Sequence, residues 1–217
     1  LGDVYKRQPD RPRPPELPAG GGGQVVQIIP AGPDELHAPI LRAKITAMEH
    51  ARERIWLTTP YFVPDEPALF ALTSAALRGV DVRILVPRRS DNLLVTLAAR
   101  SWFGELLRVG VRIWEYGPCM LHSKSLVVDD LYSFVGTDNF DNRSFRLNFE
   151  VAVLNYEPEA AAALAAQFEA DMAGAQELIV RQPRRTIAKR FPEALARLAS
   201  PLLLSLIHIS EPTRLGM

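Results

Sequence analysis

Cysteine is almost absent from the 217-residue chain, which contains only Cys119. A single cysteine excludes an intramolecular disulfide framework and any zinc site built from several cysteines. Neither sign of charge is in excess, since 25 Lys and Arg residues balance 25 Asp and Glu residues. This balance argues against a basic nucleic-acid-binding surface, so we expect no nucleic-acid partner. No apolar run approaches the ~18 residues that a membrane span needs, and the first residues lack the pattern of a signal peptide.

The remaining composition is that of an ordinary globular protein. Apolar residues make up 47% of the chain and charged residues 23%, which are typical values for a soluble domain. The length predicts one domain, or one and a half, with enough residues to bury a sizeable core.

Both ends of the chain resemble translated adapter DNA rather than protein. Residues 3–8 (DVYKRQ) and 204–209 (LSLIHI) can be encoded by reverse-complementary DNA, which is similar to the transposase end used in sequencing adapters. We therefore interpret 1–8 and 204–217 as artefacts and expect the natural protein to occupy 9–203, as a fragment of a longer chain. The alternative is a flexible tail at 1–8 and an apolar terminal strand at 204–217.

Residues 9–24 are rich in Pro and then Gly, which predicts a flexible linker before a folded domain at 25–203. Within that domain strand-like and helix-like segments alternate, and Asp34 is the expected N-cap of the first helix. Strands are predicted at 25–29, 55–59, 80–86, 111–116, 121–128, 132–136 and 148–156, and helices at 34–54, 66–78, 92–109, 157–178 and 186–199. This order predicts an α/β layered domain, with a mixed sheet flanked by helices.

The chemistry is concentrated between His122 and Glu150. On a strand, the two-residue spacing of His122 and Lys124 places both side chains on one face. A lysine on a central strand needs a partner, and the absence of an acidic residue on that face indicates a bound anion. Glu150 is positioned to orient His122 through its other ring nitrogen.

The segment Gly136-Thr137-Asp138-Asn139 follows the next predicted strand. A hydroxyl, an amide and free backbone N–H groups at such a turn are suited to hold phosphate oxygens. Arg143 and Arg146 supply cations nearby. Each of these residues alone has an ordinary structural explanation, but their combination on one surface predicts a phosphate-binding catalytic site.

The stretch HSKSLVVDDLYSFVGTDN at 122–139 resembles the HxKxxxxDxxxxxxGTxN signature of the phospholipase D superfamily. The segments TTPYFVPDE, RGVDVRILVP, GVRIWEY and GTDNFDNRSFRLNFE extend the resemblance over nearly all of 25–203, and they are similar to the C-terminal half of bacterial cardiolipin synthases. The resemblance implies a phospholipase D-like fold and phosphatidyl transfer between two phosphatidylglycerol molecules through a phosphohistidine, without metal or cofactor.

Members of this family have two such motifs that meet at one active site. The resemblance implies that the nucleophilic histidine lies in an N-terminal half outside this chain, and that His122 is the general acid and base. It also implies that Glu150 orients His122 and that Asp129 belongs to the motif in a structural role at its turn. Residues implied to bind the substrate phosphate are Lys124, Thr137 and Asn139.

Further expectations concern residues outside the motif. His37 and His50 are predicted on a surface helix without a catalytic role. Tyr61 and Phe62 either border a lipid pocket or pack in the core. The parent is expected at the bacterial cell membrane through an N-terminal anchor, whereas the fragment itself is expected to be soluble or peripheral, and inactive alone.

Two alternatives stay open from the sequence. One is a phosphodiesterase or nuclease of the same superfamily that works as a homodimer with one motif per chain. The other is a non-catalytic module that binds anionic lipid head groups. The linker and the family-like flanks favour the synthase, and the complete motif argues against a pure binding module.

Overall fold

The computed structural model describes residues 23–90 and 93–179. The predicted helix at 186–199 and the segments 1–8 and 204–217 lie outside the described residues. The helices are α1 (Pro39–His50), α2 (Glu66–Leu77), α3 (Leu93–Arg108), α4 (Asn142–Arg146) and α5 (Pro158–Ala173). The strands are β1 (Val26–Ala31), β2 (Arg54–Thr58), β3 (Phe62–Val63), β4 (Asp81–Pro87), β5 (Arg112–Tyr116), β6 (Ser125–Val128), β7 (Tyr132–Gly136), β8 (Phe140–Asp141), β9 (Glu150–Asn155) and β10 (Ala175–Glu177).

Eight of these strands form one mixed sheet in the order β1-β9-β7-β6-β2-β4-β5-β10. β2, β4 and β5 are parallel, as expected where helices connect successive strands. β6, β7 and β9 are antiparallel to their neighbours. The short strands β3 and β8 pair separately. The predicted mixed sheet flanked by helices is therefore confirmed.

The helices cover the sheet on both faces. α1, α2 and α3 pack on one face over the main core, which includes Ile55, Ile84 and Leu126. α5 packs on the other face over a smaller core that includes Trp56 and Val127. The alternation of Ile55 and Trp56 between the two cores follows from the two-residue period of a strand. Among the described residues no helix is both long and apolar enough to cross a membrane.

Two helix ends agree with the turn residues in the sequence. α2 and α3 are followed by Gly79 and Gly110, which have φ angles of 89° and 95°. A positive φ at this position favours glycine, which has no Cβ to clash.

Other boundaries differ from the prediction. α1 begins at Pro39 rather than at Asp34, because proline is favoured in the first turn of a helix and the preceding residues form turns. The predicted helix at 157–178 ends at Ala173, and the chain then adds β10 to the free edge of β5.

Candidate active site

All but one of the predicted site residues meet at the sheet edge formed by the carboxyl end of β2, the exception being Asp129. β6 is antiparallel to β2, so Ser125 at its start pairs with Thr58 at the end of β2. Because β7 and β9 again alternate in direction, the end of β7 and the start of β9 share this edge. The predicted residues at this edge are His122, Lys124, Thr137, Asn139 and Glu150.

His122 and Lys124 precede β6 rather than belong to it. The strand begins at Ser125, close to where its partner β7 ends, at Gly136. The predicted strand at 121–128 is therefore too long at its start. The backbone remains tied to the sheet, since the Gly136 N–H donates to the Lys124 carbonyl at 3.3 Å.

The side chains of His122 and Lys124 contact each other. Nζ of Lys124 donates to the His122 carbonyl oxygen at 2.9 Å and lies 3.2 Å from Nδ1 of the His122 ring. Burial lowers the pKa of Lys124, and the carboxylates of Glu150, Asp138 and Asp141 oppose this shift. A half-buried ammonium that contacts a carbonyl oxygen and a ring nitrogen forms a stronger interaction with an oxyanion.

Both residues line an open cleft of about 280 Å³ between the sheet edge and α5. His122 is exposed and Lys124 is half-buried, so the imidazole is accessible while the ammonium forms part of the wall. The cleft residues are Thr58, His122, Ser123, Lys124, Ser125, Val135, Gly136, Leu164, Gln167, Phe168 and Asp171.

Both carboxylate oxygens of Glu150 accept hydrogen bonds from other residues. Oε2 accepts from the Thr137 hydroxyl, and Oε1 accepts from Nδ2 of Asn148 at 3.0 Å. The Thr137 hydroxyl also accepts from the Val151 N–H at 3.0 Å. These bonds connect Glu150 to the turn after β7. The His122 ring instead contacts the ammonium of Lys124.

The turn after β7 offers fewer free N–H groups than the sequence predicts. The N–H groups of Gly136, Thr137 and Asn139 donate to Lys124 O, Val151 O and Ser144 Oγ, respectively. The prediction of free backbone donors is therefore wrong at these three positions, because the sheet and α4 use them. The Asn139 side chain differs, since its Oδ1 is buried without a hydrogen-bond partner among the described atoms.

Two buried carboxylates lie next to this turn. Asp138 forms an ion pair with Lys44 of α1, and burial raises the pKa of Asp138 while Lys44 lowers it. Asp141 is the N-cap of α4, accepting from the Ser144 N–H at 2.8 Å. Burial raises the pKa of Asp141 to about 6.

Asp129 lies at the other end of β6 and binds backbone. Its carboxylate accepts from the N–H groups of Arg52, Glu53 and Arg54 at distances between 2.8 and 3.3 Å. Asp129 has a φ of 52°, a left-handed conformation that Asp tolerates better than most residues. The carboxylate thus connects the hairpin turn to the segment before β2.

The two predicted arginine cations are engaged by other side chains. Arg143 donates to Oδ1 of Asn148 at 2.9 Å, and Arg146 forms an ion pair with Asp65 at 2.9 Å. Neither arginine lines the cleft.

Phe62 packs in the core, where it is 1% exposed and stacks on Phe140 with ring centroids 5.7 Å apart. Tyr61 is half-buried beside it. His37 and His50 are exposed and do not line the cleft. Within residues 23–90 and 93–179, no group of three or more His, Cys, Asp or Glu side chains is placed to hold a metal ion.

Sequence reasoning missed Lys44, Asp141, Gln167 and Asp171. The sequence does indicate that Lys44 is buried. It lies four residues after Ile40 and four before Met48, and therefore on the apolar face of α1 that packs on the sheet. Gln167 and Asp171 line the cleft from α5, but the sequence of an Ala-rich helix does not show which of its faces lies beside a site.

Comparison with known proteins identifies the family. The family model described as "Cardiolipin synthase, PLD-like domain" matches residues 45–172. The cardiolipin synthase of Geobacillus kaustophilus (strain HTA426) is 43% identical over 196 residues, which are 90% of this chain and 39% of that protein. The probable cardiolipin synthase YwiE of Bacillus subtilis (strain 168) is 40% identical over 188 residues, 86% of this chain and 37% of that protein. The chain therefore spans less than two fifths of the length of these relatives.

Solved structures with the same fold include Nuc from Salmonella typhimurium, a phospholipase D family member. It has a TM-score of 0.62 at 20% identity, over 72% of this chain and 99% of that chain. Phosphatidylserine synthase of Haemophilus influenzae has a TM-score of 0.61 at 17% identity, over 85% of this chain and 48% of that chain. The family model covers more than half of the sequence, and the chain therefore belongs to the cardiolipin synthase family of phospholipase D-like domains.

Proposed function

We propose that this chain is the C-terminal catalytic half of a cardiolipin synthase that transfers a phosphatidyl group between two phosphatidylglycerol molecules. The observation that carries the proposal is the contact of His122 and Lys124, with 3.2 Å between Nδ1 and Nζ, at the wall of an open cleft. The relatives support it, since the identity to cardiolipin synthases is 43% and the identity to Nuc is 20%.

In the proposed reaction a histidine of a second, N-terminal domain attacks the phosphorus of one phosphatidylglycerol. The bond from phosphorus to the oxygen of the head-group glycerol breaks, and His122 gives its proton to the leaving glycerol alkoxide. His122 then takes the proton of a hydroxyl on the second phosphatidylglycerol, whose oxygen attacks the phosphohistidine and forms cardiolipin. Imidazole suits both steps because its ordinary pKa of ~6.5 lets it serve as acid and as base.

Lys124 is proposed to bind the phosphate. In the structure its ammonium points to the His122 carbonyl and ring, and burial lowers its pKa. A phosphate oxyanion offers this ammonium a stronger partner. When the ammonium moves to the phosphate, Nδ1 of His122 becomes free to donate a hydrogen bond to Glu150. Asn139 is proposed to contribute its amide to the same oxygens, while Thr137 holds Glu150 in place. These donors stabilise charge on the equatorial oxygens.

The second domain is proposed to pack on an open sheet face, defined as Ile28, Val135, Val151 and Val153. Ile28 and Val135 both pair with Val153, so these side chains form one row across three strands. All four side chains are exposed, between 37% and 66%, on the sheet face that α5 covers elsewhere. Because Val135 also lines the cleft, a domain on this face would place its own motif beside His122. Attachment to the bacterial membrane is proposed to come from the same missing part.

The test is a chimera in which residues 25–203 of this chain replace the matching segment of the Geobacillus kaustophilus cardiolipin synthase. The chimera is expected to convert phosphatidylglycerol in vesicles to cardiolipin, with one glycerol released for each cardiolipin formed. The 217-residue chain alone is expected to release none. Turnover by the chain alone, or release of glycerol without cardiolipin, would count against the proposal.

A further inference from the structure

One wall of the cleft is a face of α5 that carries both apolar and polar residues. Leu164, Gln167, Phe168 and Asp171 line the cleft with the i, i+3, i+4, i+7 spacing of one helix face. Phe168 packs this face on the sheet, since it is 3% exposed and stacks on Trp56 with ring centroids 5.3 Å apart. Gln167 is exposed and Asp171 is half-buried, so both polar side chains are accessible to a ligand in the cleft.

Gln167 and Asp171 are joined by one hydrogen bond. Nε2 of Gln167 donates to Oδ1 of Asp171 at 2.9 Å. This bond fixes the amide orientation and uses one carboxylate oxygen, so that the amide oxygen of Gln167 and Oδ2 of Asp171 remain as two neighbouring acceptors. A pair of acceptors on one turn of a helix matches two adjacent hydroxyl donors.

The rest of the cleft narrows the class of ligand. Lys124 attracts a phosphodiester into the same cleft. Leu164 and Phe168 offer apolar surface to the carbon atoms of a short polyol. A group with two vicinal hydroxyls therefore matches both the two acceptors and the apolar surface of the wall, whereas an alkyl group leaves the acceptors unused.

We propose that Gln167 and Asp171 form a subsite for the vicinal hydroxyls of a glycerol group esterified to the phosphate that Lys124 binds. The inference rests on the proposed function and deepens it, because it assigns recognition of the glycerol head group to α5. The subsite holds the glycerol in the cleft that His122 lines, where its ester oxygen leaves and the incoming hydroxyl is deprotonated.

The test measures binding of three soluble phosphodiesters to the 217-residue chain by NMR titration. Diethyl phosphate carries no hydroxyl, ethyl glyceryl phosphate carries the vicinal diol, and ethyl 2-aminoethyl phosphate carries an ammonium. Two additional hydrogen bonds are expected to make ethyl glyceryl phosphate bind about tenfold more tightly than diethyl phosphate. Gln167→Leu and Asp171→Asn are expected to abolish this preference without weakening diethyl phosphate.

Glu169→Gln is the matched control, since Glu169 is an exposed carboxylate on α5 that does not line the cleft, and it should keep the tenfold preference. Equal binding of diethyl phosphate and ethyl glyceryl phosphate to the unsubstituted chain, or tighter binding of the aminoethyl diester, would overturn the inference and leave the proposed function intact. Failure of all three diesters to bind would contradict both. The relative affinities of the three diesters for the unsubstituted chain test the glycerol subsite even if a variant does not fold.

Discussion

Lys44 in α1 and Asp138 in the turn after β7 form a buried ion pair. Nζ of Lys44 lies 2.5 Å from Oδ2 of Asp138, and the side chains are 5% and 0% exposed. The second carboxylate oxygen of Asp138 has no hydrogen-bond partner among the described atoms. The pair connects the helix layer to the turn that carries Thr137 and Asn139, so the position of the site depends on a contact 94 residues apart in sequence.

Removing one member of this ion pair should lower the stability of the fold. Lys44→Met leaves a buried carboxylate without its cation, and the free energy of unfolding is expected to fall by about 3 kcal/mol or more. Urea denaturation of the chain near neutral pH measures this loss. Lys44→Met combined with Asp138→Asn should recover at least half of it, because no uncompensated charge remains.

Arg42→Met is the control for this comparison, since Arg42 is an exposed cation on the same helix. It should change the free energy of unfolding by less than about 1 kcal/mol. A Lys44→Met variant as stable as Arg42→Met would show that the pair does not tie α1 to the turn.

Asp129 is expected to act on stability rather than on chemistry. Asp129→Ala removes the acceptor of three backbone N–H groups, and the expected loss is about 2 kcal/mol in the free energy of unfolding. Asp130→Ala removes only an exposed ion pair with Arg54 and should cost less than about 1 kcal/mol. In the chimera, both variants should keep turnover per folded molecule; a selective loss of turnover in Asp129→Ala would place Asp129 in the chemistry.

Asp141 should make the stability of the chain depend on pH. Because burial raises its pKa from 3.8 to about 6, the folded state binds this proton more tightly than the unfolded state. The free energy of unfolding should therefore fall as pH rises from about 4 to about 6, by up to about 3 kcal/mol, and level off above. Asp138, whose pKa burial also raises, contributes with the same sign.

Asp141→Asn tests this dependence, because its amide oxygen can still accept from the Ser144 N–H. Thermal unfolding between pH 4 and pH 7 should show a shallower decline than in the unsubstituted chain, while Asp130→Asn, at an exposed carboxylate, should leave the decline unchanged. A slope unaltered by Asp141→Asn would mean that another group binds the proton.

Substitutions on the open sheet face should have a large effect only when the second domain is present. Ile28→Glu and Val153→Glu introduce charges at exposed positions, so thermal unfolding of the chain alone should change little. In the chimera each is expected to lower cardiolipin formation at least tenfold, because a charge in a buried interface is costly. Leu77→Glu, at an exposed residue at the end of α2, is the control and should be neutral; equal turnover of all three variants would place the second domain elsewhere.

Local sequence features predict much of this fold. Gly79 and Gly110 mark helix ends correctly because their positive φ angles need no tertiary context. The core strands follow from their apolar residues. In contrast, β10 (Ala175–Glu177) has no strand-like composition and exists because the edge of β5 accepts it. Likewise, Leu36 fits a helical period but is 93% exposed, since Pro39 delays the start of α1.

The site shows the same division. The spacing of His122 and Lys124 predicts that they act together, and the structure brings both to one cleft. Both residues lie before β6 rather than in it, because the partner strand β7 ends at Gly136. The spacing of His122 and Lys124 does not predict where β7 ends. The partners of Glu150 and the ion pair of Lys44 with Asp138 depend on packing between distant segments, so the sequence pattern does not indicate them.

In the proposed reaction His122 is the general acid and base, while the nucleophile lies in the second domain. The most direct measurement uses the chimera with His122→Ala and phosphatidyl-p-nitrophenol, whose leaving group needs no protonation. We predict a burst of about one equivalent of p-nitrophenol without further turnover, because the phosphohistidine forms but its attacking alcohol is not deprotonated. His50→Ala, at an exposed histidine of α1, should turn over normally. Release of no p-nitrophenol, or full turnover, by the His122→Ala chimera would contradict the account.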